Sequence, residues 1–292
     1  MKVTCDNPER PQKFTTALVV EGGAMRGVFT TGILDRFLEA RFNPFDLLIG
    51  VSSGATNIAA YQAQMPQRNY KIYTDYCLRP QFLNLKRFIF GGHLMDLDWL
   101  WERTITEIRL DIDTLFSHNK HFLIVVTDVQ SGQAVYHEPH AQSVEEDLKA
   151  SSAMPVIYRA FPQVAGRPSV DGGIADPLPI KKAIEMNARK IMIIRSRPFN
   201  YIKKEALANH YLLWRLKSYP ALQETAAGRV QRYNTAVALI RKPPPDTSII
   251  EICPPDNFNL GRFGRNKEDL IQAYYQGQRI AEQAMQRWGE KS

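Results

Sequence analysis

The stretch from Phe45 to Gln64 constrains the fold of this chain most. It begins with a short apolar run to Ile49, continues as Gly50-Val51-Ser52-Ser53-Gly54, and ends in a helix-prone, alanine-rich segment. A strand, a tight turn and a helix in this order match the nucleophile elbow, in which G-x-S-x-G holds a serine in a strained bend. Side chains at positions 50 and 54 would collide as the strand and the helix close on each other. The pattern predicts Ser52 at the apex, facing the amides and the dipole of the following helix.

The same residues have a simpler interpretation. Serine is a favoured N-cap residue, so Ser52 and Ser53 could do no more than cap the following helix. The apolar strand before the motif and Pro66 after the helix favour the elbow.

Apolar strands alternate with helical segments along the chain. This alternation predicts an α/β fold with a mostly parallel sheet and helices on both of its faces. Residues 1–14 are predicted to form a flexible tail, and Tyr201 to about Ile240 a mostly helical stretch that is broken near Pro220. The predicted strands are 15–20, 45–49, 121–126, 133–137, 190–195 and 248–252, and the other predicted helices are 27–41, 55–64, 69–77, 97–109, 144–151, 180–186 and 266–288.

The net charge of +7 is concentrated in the last third of the chain. Residues 197–292 hold 15 Lys and Arg against 9 Asp and Glu. Such a basic region could meet nucleic acid or an anionic membrane surface. The basic residues are spread out and lack interleaved aromatics, which favours a solvated helical face and predicts no nucleic-acid partner.

Cysteine usage and hydropathy indicate the compartment. Cys5, Cys77 and Cys253 are far apart and odd in number, which argues for a reducing compartment, against a disulfide framework and against a cysteine metal site. The chain lacks a run of 18 apolar residues, and its first residues lack the apolar core of a signal peptide. We therefore expect a soluble, cytoplasmic protein without a metal or cofactor.

A glycine-rich segment, Gly22 to Gly27, lies between the first predicted strand and helix. It is not the dinucleotide fingerprint, because Ala24 stands where the second glycine of G-x-G-x-x-G must be. Glycine amides at a helix N-terminus suit an anion, which could be an oxyanion or a phosphate, although a plain turn is also compatible. Arg26 could add positive charge there or anchor the loop through a salt bridge.

Asp171 is the candidate base. Asp171-Gly172-Gly173 alone would be an ordinary turn, but Ser52 needs a proton acceptor. In a Ser…Asp…His order the histidine follows the acid, and after Asp171 only His210 remains, inside a helical aromatic-rich run. A Ser–Asp dyad is therefore the economical interpretation. Asp128 is a rival acid, for which we favour structural hydrogen bonds to nearby amides.

Taken together and in this order, the motifs resemble the patatin-like phospholipase family. The glycine-rich loop, the G-V-S-S-G elbow and the D-G-G turn carry the resemblance, as does Ala150 to Pro155, which is similar to the family's A-S-x-A-x-P segment. The resemblance covers residues 15–197, and Ala24 departs from the third glycine of many members. It implies a three-layer sandwich with a mostly parallel central sheet, to which residues 198–292 add a mostly helical C-terminal extension packed on the same domain.

The resemblance also implies roles for individual residues. Ser52 would be the nucleophile and Asp171 its base, without a metal or cofactor. The substrate would be a lipid or phospholipid carboxylic ester, cleaved through an acyl-serine as in a phospholipase A or lysophospholipase. The oxyanion hole would comprise the amides of Gly22, Gly23, Ala24 and Ser53, and the supporting residues would be Arg26, Gly27, Gly50, Gly54, Gly172 and Gly173.

Two other functions stay open from the sequence. One is a catalytically silent lipid- or protein-binding module of the same fold, and the other is an esterase whose triad includes His210. Contact with an anionic membrane is a further expectation, since the aromatics Tyr211, Trp214 and Tyr219 stand close to Arg215 and Lys217 in sequence. We favour the alternative that these aromatics pack in the core.

Overall fold

Eight strands form the central layer of the fold. The computed structural model describes residues 14–290, so the predicted flexible tail lies outside the described residues except for Phe14, which is buried. The strands are β1 Thr16–Val20, β2 Leu47–Val51, β3 His121–Asp128, β4 Ala134–His137, β5 Gln163–Val164, β6 Arg167–Asp171, β7 Lys190–Ile194 and β8 Ser248–Ile252.

The strand order is β5-β6-β3-β2-β1-β7-β8, with β4 also paired to β3. The pairs β3–β2, β2–β1, β1–β7 and β7–β8 are parallel, and Val20 is in register with Gly50 on one side and Ile194 on the other. The pairs of β3 with β4 and β6, and of β5 with β6, are antiparallel. The predicted mostly parallel sheet is confirmed, and its carboxyl edge gathers the ends of β1, β2 and β7.

Helices cover both faces of this sheet. They are α1 Gly27–Glu39, α2 Ser53–Gln62, α3 Arg68–Thr74, α4 Leu85–Ile89, α5 Leu97–Ile108, α6 Ile112–Ser117, α7 Val144–Ser152, α8 Ile180–Glu185, α9 Leu207–Arg215, α10 Pro220–Ala227, α11 Arg229–Arg241 and α12 Lys267–Glu290. The short helices α4 and α6 are not evident in the sequence pattern, and the predicted stretch 201–240 forms three separate helices, the second of which starts at Pro220.

Alternate residues of each central strand enter different apolar clusters. Leu18 and Val20 of β1 pack with α1, α2 and α12, whereas Ala17 and Val19 pack with α8 and α11. Because both faces are covered, β2 is buried along its whole length. The α/β fold with three layers is therefore confirmed.

Residues beyond 197 belong to this core. β8 extends the sheet, α11 covers one face, and α12 packs against α1 on the other. The helices α1 and α12 touch at Gly32 and Gly277, where an added Cβ would collide with the carbonyl oxygens of Tyr274 and Phe29 respectively. The motif-bearing segments and the C-terminal region thus pack together in the apolar clusters on both faces of the sheet.

Two further findings concern the helices and the cysteines. Within the described residues, none of the helices is long and apolar enough to cross a bilayer. Cys77 and Cys253 are free thiols, and Cys5 lies outside the described residues.

Candidate active site

Ser52 lies at a strained bend between β2 and α2. Its φ of 54° and ψ of −127° fall where residues with a Cβ rarely lie, as a nucleophile elbow requires. A Cβ on Gly50 would lie 2.5 Å from the Ala55 Cα, and one on Gly54 would collide with the Val20 carbonyl oxygen. Only glycine allows the strand and the helix to approach this closely, as the sequence predicted.

The side chain of Ser52 does not cap α2, although Ser52 occupies the N-cap position. This observation removes the simple capping interpretation. The backbone amide of Ser52 donates to Ser151 Oγ at 2.8 Å, and that hydroxyl donates to the Val125 carbonyl oxygen at 2.7 Å. Ser151 comes from the A-S-S-A-M-P segment, which therefore fastens the elbow to β3.

The glycine-rich loop follows β1 and lies against the elbow. Arg26 donates from Nε to the Ser196 carbonyl oxygen at 3.1 Å, and Ser196 Oγ donates to the Gly22 carbonyl oxygen at 3.0 Å. The Ser196 amide donates to Glu21 Oε2 at 2.7 Å. Among the described contacts Arg26 forms no salt bridge, so it anchors the loop through hydrogen bonds rather than through the ion pair considered above.

The four amides predicted for the oxyanion hole differ in their present partners. The Gly23 amide donates to Ser53 Oγ at 2.8 Å. Within residues 14–290, the amides of Gly22, Ala24 and Ser53 donate to no protein acceptor. Ala24 has a φ of 49°, so it takes up the left-handed conformation that a glycine would adopt more readily. Three donors thus remain available beside Ser52.

Asp171 ends β6 and is buried. Its Oδ1 accepts the Gly173 amide at 2.7 Å, while its carbonyl oxygen accepts the Thr127 hydroxyl at 2.9 Å. Burial raises the pKa of Asp171 above the ordinary 3.8, against the lowering effects of the Gly173 amide, the Ser52 hydroxyl and the cations Arg262 and Arg229. A carboxylate in this setting is a stronger base than one in water.

Ser52 and Asp171 line the same two cavities. The Ser52 hydroxyl stabilises the charged form of Asp171, although the described hydrogen bonds include no short, well-aligned one between them. Hydrogen bonds between catalytic groups are often long before the substrate binds. No histidine among residues 14–290 lines either cavity, and His210 is exposed on α9.

The other predicted supporting residues surround this pair. A Cβ on Gly172 would collide with the Val125 carbonyl oxygen, and one on Gly27 would collide with the Tyr73 hydroxyl. Asp128 instead accepts the amides of Gln130 and Ser131 in a turn, which keeps its pKa below the ordinary value against the raising effect of burial. That turn is the structural role expected for Asp128.

The larger cavity beside Ser52 is apolar. It has a volume of about 110 Å³ and extends from Ser52 and Asp171 toward α3, α5 and α7. Its apolar lining includes Met25, Ile72, Phe82, Leu83, Met95, Leu97, Leu100, Trp101, Ile105, Leu110, Leu148, Met154 and Ile157. A hydrocarbon chain attached to a group at Ser52 would be shielded from water there.

The smaller cavity, of about 50 Å³, is basic. Its lining includes Ser52, Asp171 and residues 21–24 together with Lys203, Arg229 and Arg262. The sequence pattern had favoured a solvated helical face for the basic C-terminal residues, and for these three that expectation is wrong. They stand far from Ser52 in sequence and carry no motif, so only the tertiary fold reveals them.

The aromatics of α9 and the following turn are also placed differently from the favoured expectation. Tyr211 and Trp214 are 46% and 56% exposed and stack on each other, and Tyr219 is 39% exposed. Lys217 and Arg215 lie over the Trp214 ring. These side chains do not pack in the core.

Comparison with known sequences identifies the family. The model of the patatin-like phospholipase family matches residues 18–184, more than half of the chain. The chain belongs to the patatin-like phospholipase family. Membership of this family supports a lipid hydrolase function. A second match, to a domain of unknown function named DUF6363, covers residues 219–291, which include Arg229 and Arg262.

Two curated relatives extend this comparison. The chain is 34% identical over 271 residues to the uncharacterized protein YjjU of Escherichia coli (strain K12), a match that covers 89% of this chain and 74% of the relative. It is 26% identical over 196 residues to a protein of Invertebrate iridescent virus 6 described as probable lipid hydrolase 463L, covering 61% of this chain and 66% of the relative.

A solved structure also aligns with the chain, with lower sequence identity than these relatives. The crystal structure of VipD from Legionella pneumophila aligns with a TM-score of 0.45 and 14% identity, covering 92% of this chain and 66% of that one.

Proposed function

We propose that the protein is a serine lipid acyl hydrolase in which Ser52 is the nucleophile and Asp171 is its base. The observation that carries the proposal is the pairing of a strained serine with a buried carboxylate of raised pKa at the mouth of an apolar cavity. Family membership and the lipid hydrolase named among the relatives support the same substrate class.

The first half of the reaction forms an acyl-enzyme. Ser52 Oγ attacks the ester carbonyl carbon while Asp171 takes the hydroxyl proton, and the carbonyl electron pair moves onto oxygen. The amides of Gly22, Ala24 and Ser53 donate to that oxyanion, each contributing on the order of 10²–10³ in rate. The Gly23 amide can join them once it leaves Ser53 Oγ. Asp171 then returns the proton to the leaving alcohol as the C–O bond breaks.

The second half releases the fatty acid. Asp171 takes a proton from water, the resulting hydroxide attacks the Ser52 ester, and the same amides stabilise the second oxyanion. Collapse of this intermediate breaks the acyl–Ser52 bond, and Asp171 returns its proton to Ser52 Oγ. The buried carboxylate thus serves as base and acid in turn without a histidine.

The apolar cavity supports a fatty acyl ester as the substrate. Its lining of leucine, isoleucine, methionine and aromatic side chains suits one fatty acyl chain held with its ester at Ser52. We therefore propose carboxylic esters of lipids as substrates, in the manner of a phospholipase A or a lysophospholipase.

The segment beside this cavity supports contact with a membrane surface. Phe82 and Leu83 line the cavity, and Leu85, Ile89 and Phe90 directly follow with exposures of 62%, 70% and 88%. Such apolar side chains can enter the headgroup region of a bilayer and place the cavity mouth at the lipid. Flotation with anionic and neutral liposomes tests this contact, and replacement of Ile89 and Phe90 by Ser should reduce the bound fraction severalfold.

A fluorophosphonate probe and a short-chain nitrophenyl ester test the nucleophile. Ser52→Ala should abolish both labelling and hydrolysis, since the attacking oxygen is gone. Ser152→Ala is the matched control, because Ser152 lines the same cavity, and it should keep the label. Mass spectrometry that finds the label on a residue other than Ser52 would overturn the assignment.

Three acid and histidine variants test the dyad. Asp171→Asn should lower kcat by about 10²–10⁴, because general base catalysis is lost. Asp128→Asn and His210→Ala should keep activity, and loss of activity in a folded His210→Ala protein would favour a triad instead. Lipid binding by a wild type that hydrolyses no acyl ester would favour the silent binding module.

A further inference from the structure

The three cations of the basic cavity come from parts of the chain that the catalytic motifs do not include. Lys203, Arg229 and Arg262 all follow residue 197, whereas the family match ends at residue 184. They nevertheless share a cavity with Ser52 and Asp171. This arrangement gives the C-terminal region a direct position at the reaction centre.

The backbone around these cations is held in place. The Lys203 amide donates to Asn234 Oδ1 at 3.0 Å, and Asn234 Nδ2 donates back to the Lys203 carbonyl oxygen at 3.0 Å. These two hydrogen bonds hold the Lys203 backbone against α11, the helix that begins with Arg229. The carbonyl oxygen of Arg262 accepts the Met25 amide at 3.2 Å, which fastens Arg262 to the glycine-rich loop.

The carboxylates Glu21 and Asp171 in the lining compensate the three cations of this cavity only in part. Among the residues that the structure describes, none of the three cations forms an ion pair with a carboxylate, and the buried Nε of Arg229 lacks a hydrogen-bond acceptor. The nearby carboxylates accept hydrogen bonds from other groups, since Glu21 accepts the Ser196 amide and Glu205 accepts Asn209 Nδ2. Asp171 accepts the Gly173 amide, and its charge opposes the lowering of the pKa of Arg229.

Burial and the neighbouring cations both act on Lys203. Burial, aided by the charges of Arg229 and Arg262, lowers the pKa of Lys203 to about 7 despite the opposing charge of Glu21. Arg262 also lowers the pKa of Arg229, although burial is the larger cause. A bound anion would relieve this repulsion and supply the missing acceptor.

We propose that Lys203, Arg229 and Arg262 form a subsite for a phosphate-class anion beside Ser52. Two guanidinium groups and one ammonium suit a doubly charged tetrahedral anion better than a carboxylate, which offers only two oxygens. The site accepts either a phosphate carried by the substrate or free phosphate.

The position of the site favours a phosphate carried by the substrate. Ala24, Ser52, Met154, Asp171 and Arg262 line both cavities, so the catalytic pair lies where the apolar and the basic cavities meet. An ester placed at Ser52 would direct its acyl chain into one cavity and its alcohol part into the other. This substrate preference rests on the proposed hydrolase function, whereas anion binding itself does not.

A pair of substrates with the same acyl ester tests the preference. We compare kcat/KM for a 1-acylglycerol and for the corresponding 1-acylglycerol 3-phosphate. Wild type should prefer the phosphate ester, and Lys203→Gln or Arg229→Gln should reduce the ratio of the two kcat/KM values at least tenfold, largely through KM. The ratio cancels any general loss of activity. Lys204→Gln, a neighbouring exposed lysine, is the matched control and should leave the ratio unchanged.

Calorimetric titration with inorganic phosphate tests binding without catalysis. The titration uses the Ser52→Ala protein, with acetate as the comparison anion. Phosphate binding should weaken at least tenfold when Lys203→Gln or Arg229→Gln is added and should persist with Lys204→Gln. Equal phosphate affinity in the three variants would overturn the proposed site.

The two experiments separate the possible failures. Phosphate binding without hydrolysis of either ester would retain the anion site and reject the proposed hydrolase. Phosphate binding together with hydrolysis but without a substrate preference would assign the site to free phosphate. Hydrolysis with neither a preference nor phosphate binding would reject the anion site and retain the hydrolase.

Discussion

Burial gives Asp171 two opposite effects on the protein. The same desolvation that raises its pKa, and so strengthens it as a base, makes its ionised form costly in the folded state. Because the folded-state pKa lies above the ordinary value, the stabilising contribution of Asp171 is complete at low pH and is lost as the pH rises through the folded-state pKa. The proposed mechanism needs the ionised form, so basicity and stability are opposed at this residue.

The variant Asp171→Asn should therefore be inactive yet at least as stable as wild type at neutral pH. Asparagine keeps an oxygen that can accept the Gly173 amide and avoids the buried charge. Urea unfolding at a series of pH values measures the difference, which should shrink below pH 3.8, the ordinary pKa of the carboxyl, where wild type is also protonated. The free energy of unfolding of Asp171→Asn should exceed that of wild type by more at neutral pH than at acid pH. The opposite order would contradict this explanation.

Residue-scale prediction from the sequence succeeds where the signal is local. Ser52 was predictable because the glycines that allow its strained conformation are two positions away on each side. The sequence indicates Ser151 only as part of a segment similar to one of the family. Its role could not be predicted, because it depends on the Ser52 amide and the Val125 carbonyl oxygen, which come from other parts of the chain. The position of Lys203 and Arg229 beside Ser52 could not be predicted, because their surroundings form only in the tertiary fold.

The contact between α1 and α12 shows how two elements fix the position of the site. The glycine-rich loop leads directly into α1, and α12 lies against that helix at Gly32 and Gly277. With glycine at both points the helix backbones approach closely. Strand and helix types were predictable here from hydrophobic periodicity, but this close packing of remote segments was not.

Two glycine substitutions in α12 should have opposite effects on stability. Gly277→Ala would drive a Cβ into the Phe29 carbonyl oxygen and should cost about 1–3 kcal/mol. Gly289→Ala meets no atom within 4 Å and should stabilise the protein by up to about 1 kcal/mol, since alanine favours helix. Chemical denaturation of both variants measures the free energy of unfolding. Equal effects would show that the close approach of the helices is unimportant.

On the scale of the whole molecule, the family-matched segment packs against elements that follow it in the chain. Residues beyond 197 supply β8 at the sheet edge and two of the helices that cover its faces. Without them the apolar surfaces of β7 and α1 would face water. The sequence pattern predicted these elements, yet it did not predict their contribution to the cavity beside Ser52.

A fragment of residues 1–197 should therefore fail to adopt a well-packed fold. We expect weak near-ultraviolet circular dichroism and non-cooperative unfolding, because a large apolar area is uncovered. Co-expression with residues 198–292 should restore both signals if the two parts associate. A cooperative transition of the fragment alone would show instead that the C-terminal region is dispensable for folding.

The anchoring of the glycine-rich loop by Arg262 also bears on protein synthesis. Met25 leaves the ribosome long before Arg262, so a growing chain that already carries the serine and the carboxylate still lacks the segment that fastens the loop between them. Under the proposed function, a nascent polypeptide should consequently lack esterase activity until residue 262 has left the ribosome. Chains released before that residue is added should therefore leave nearby lipids intact.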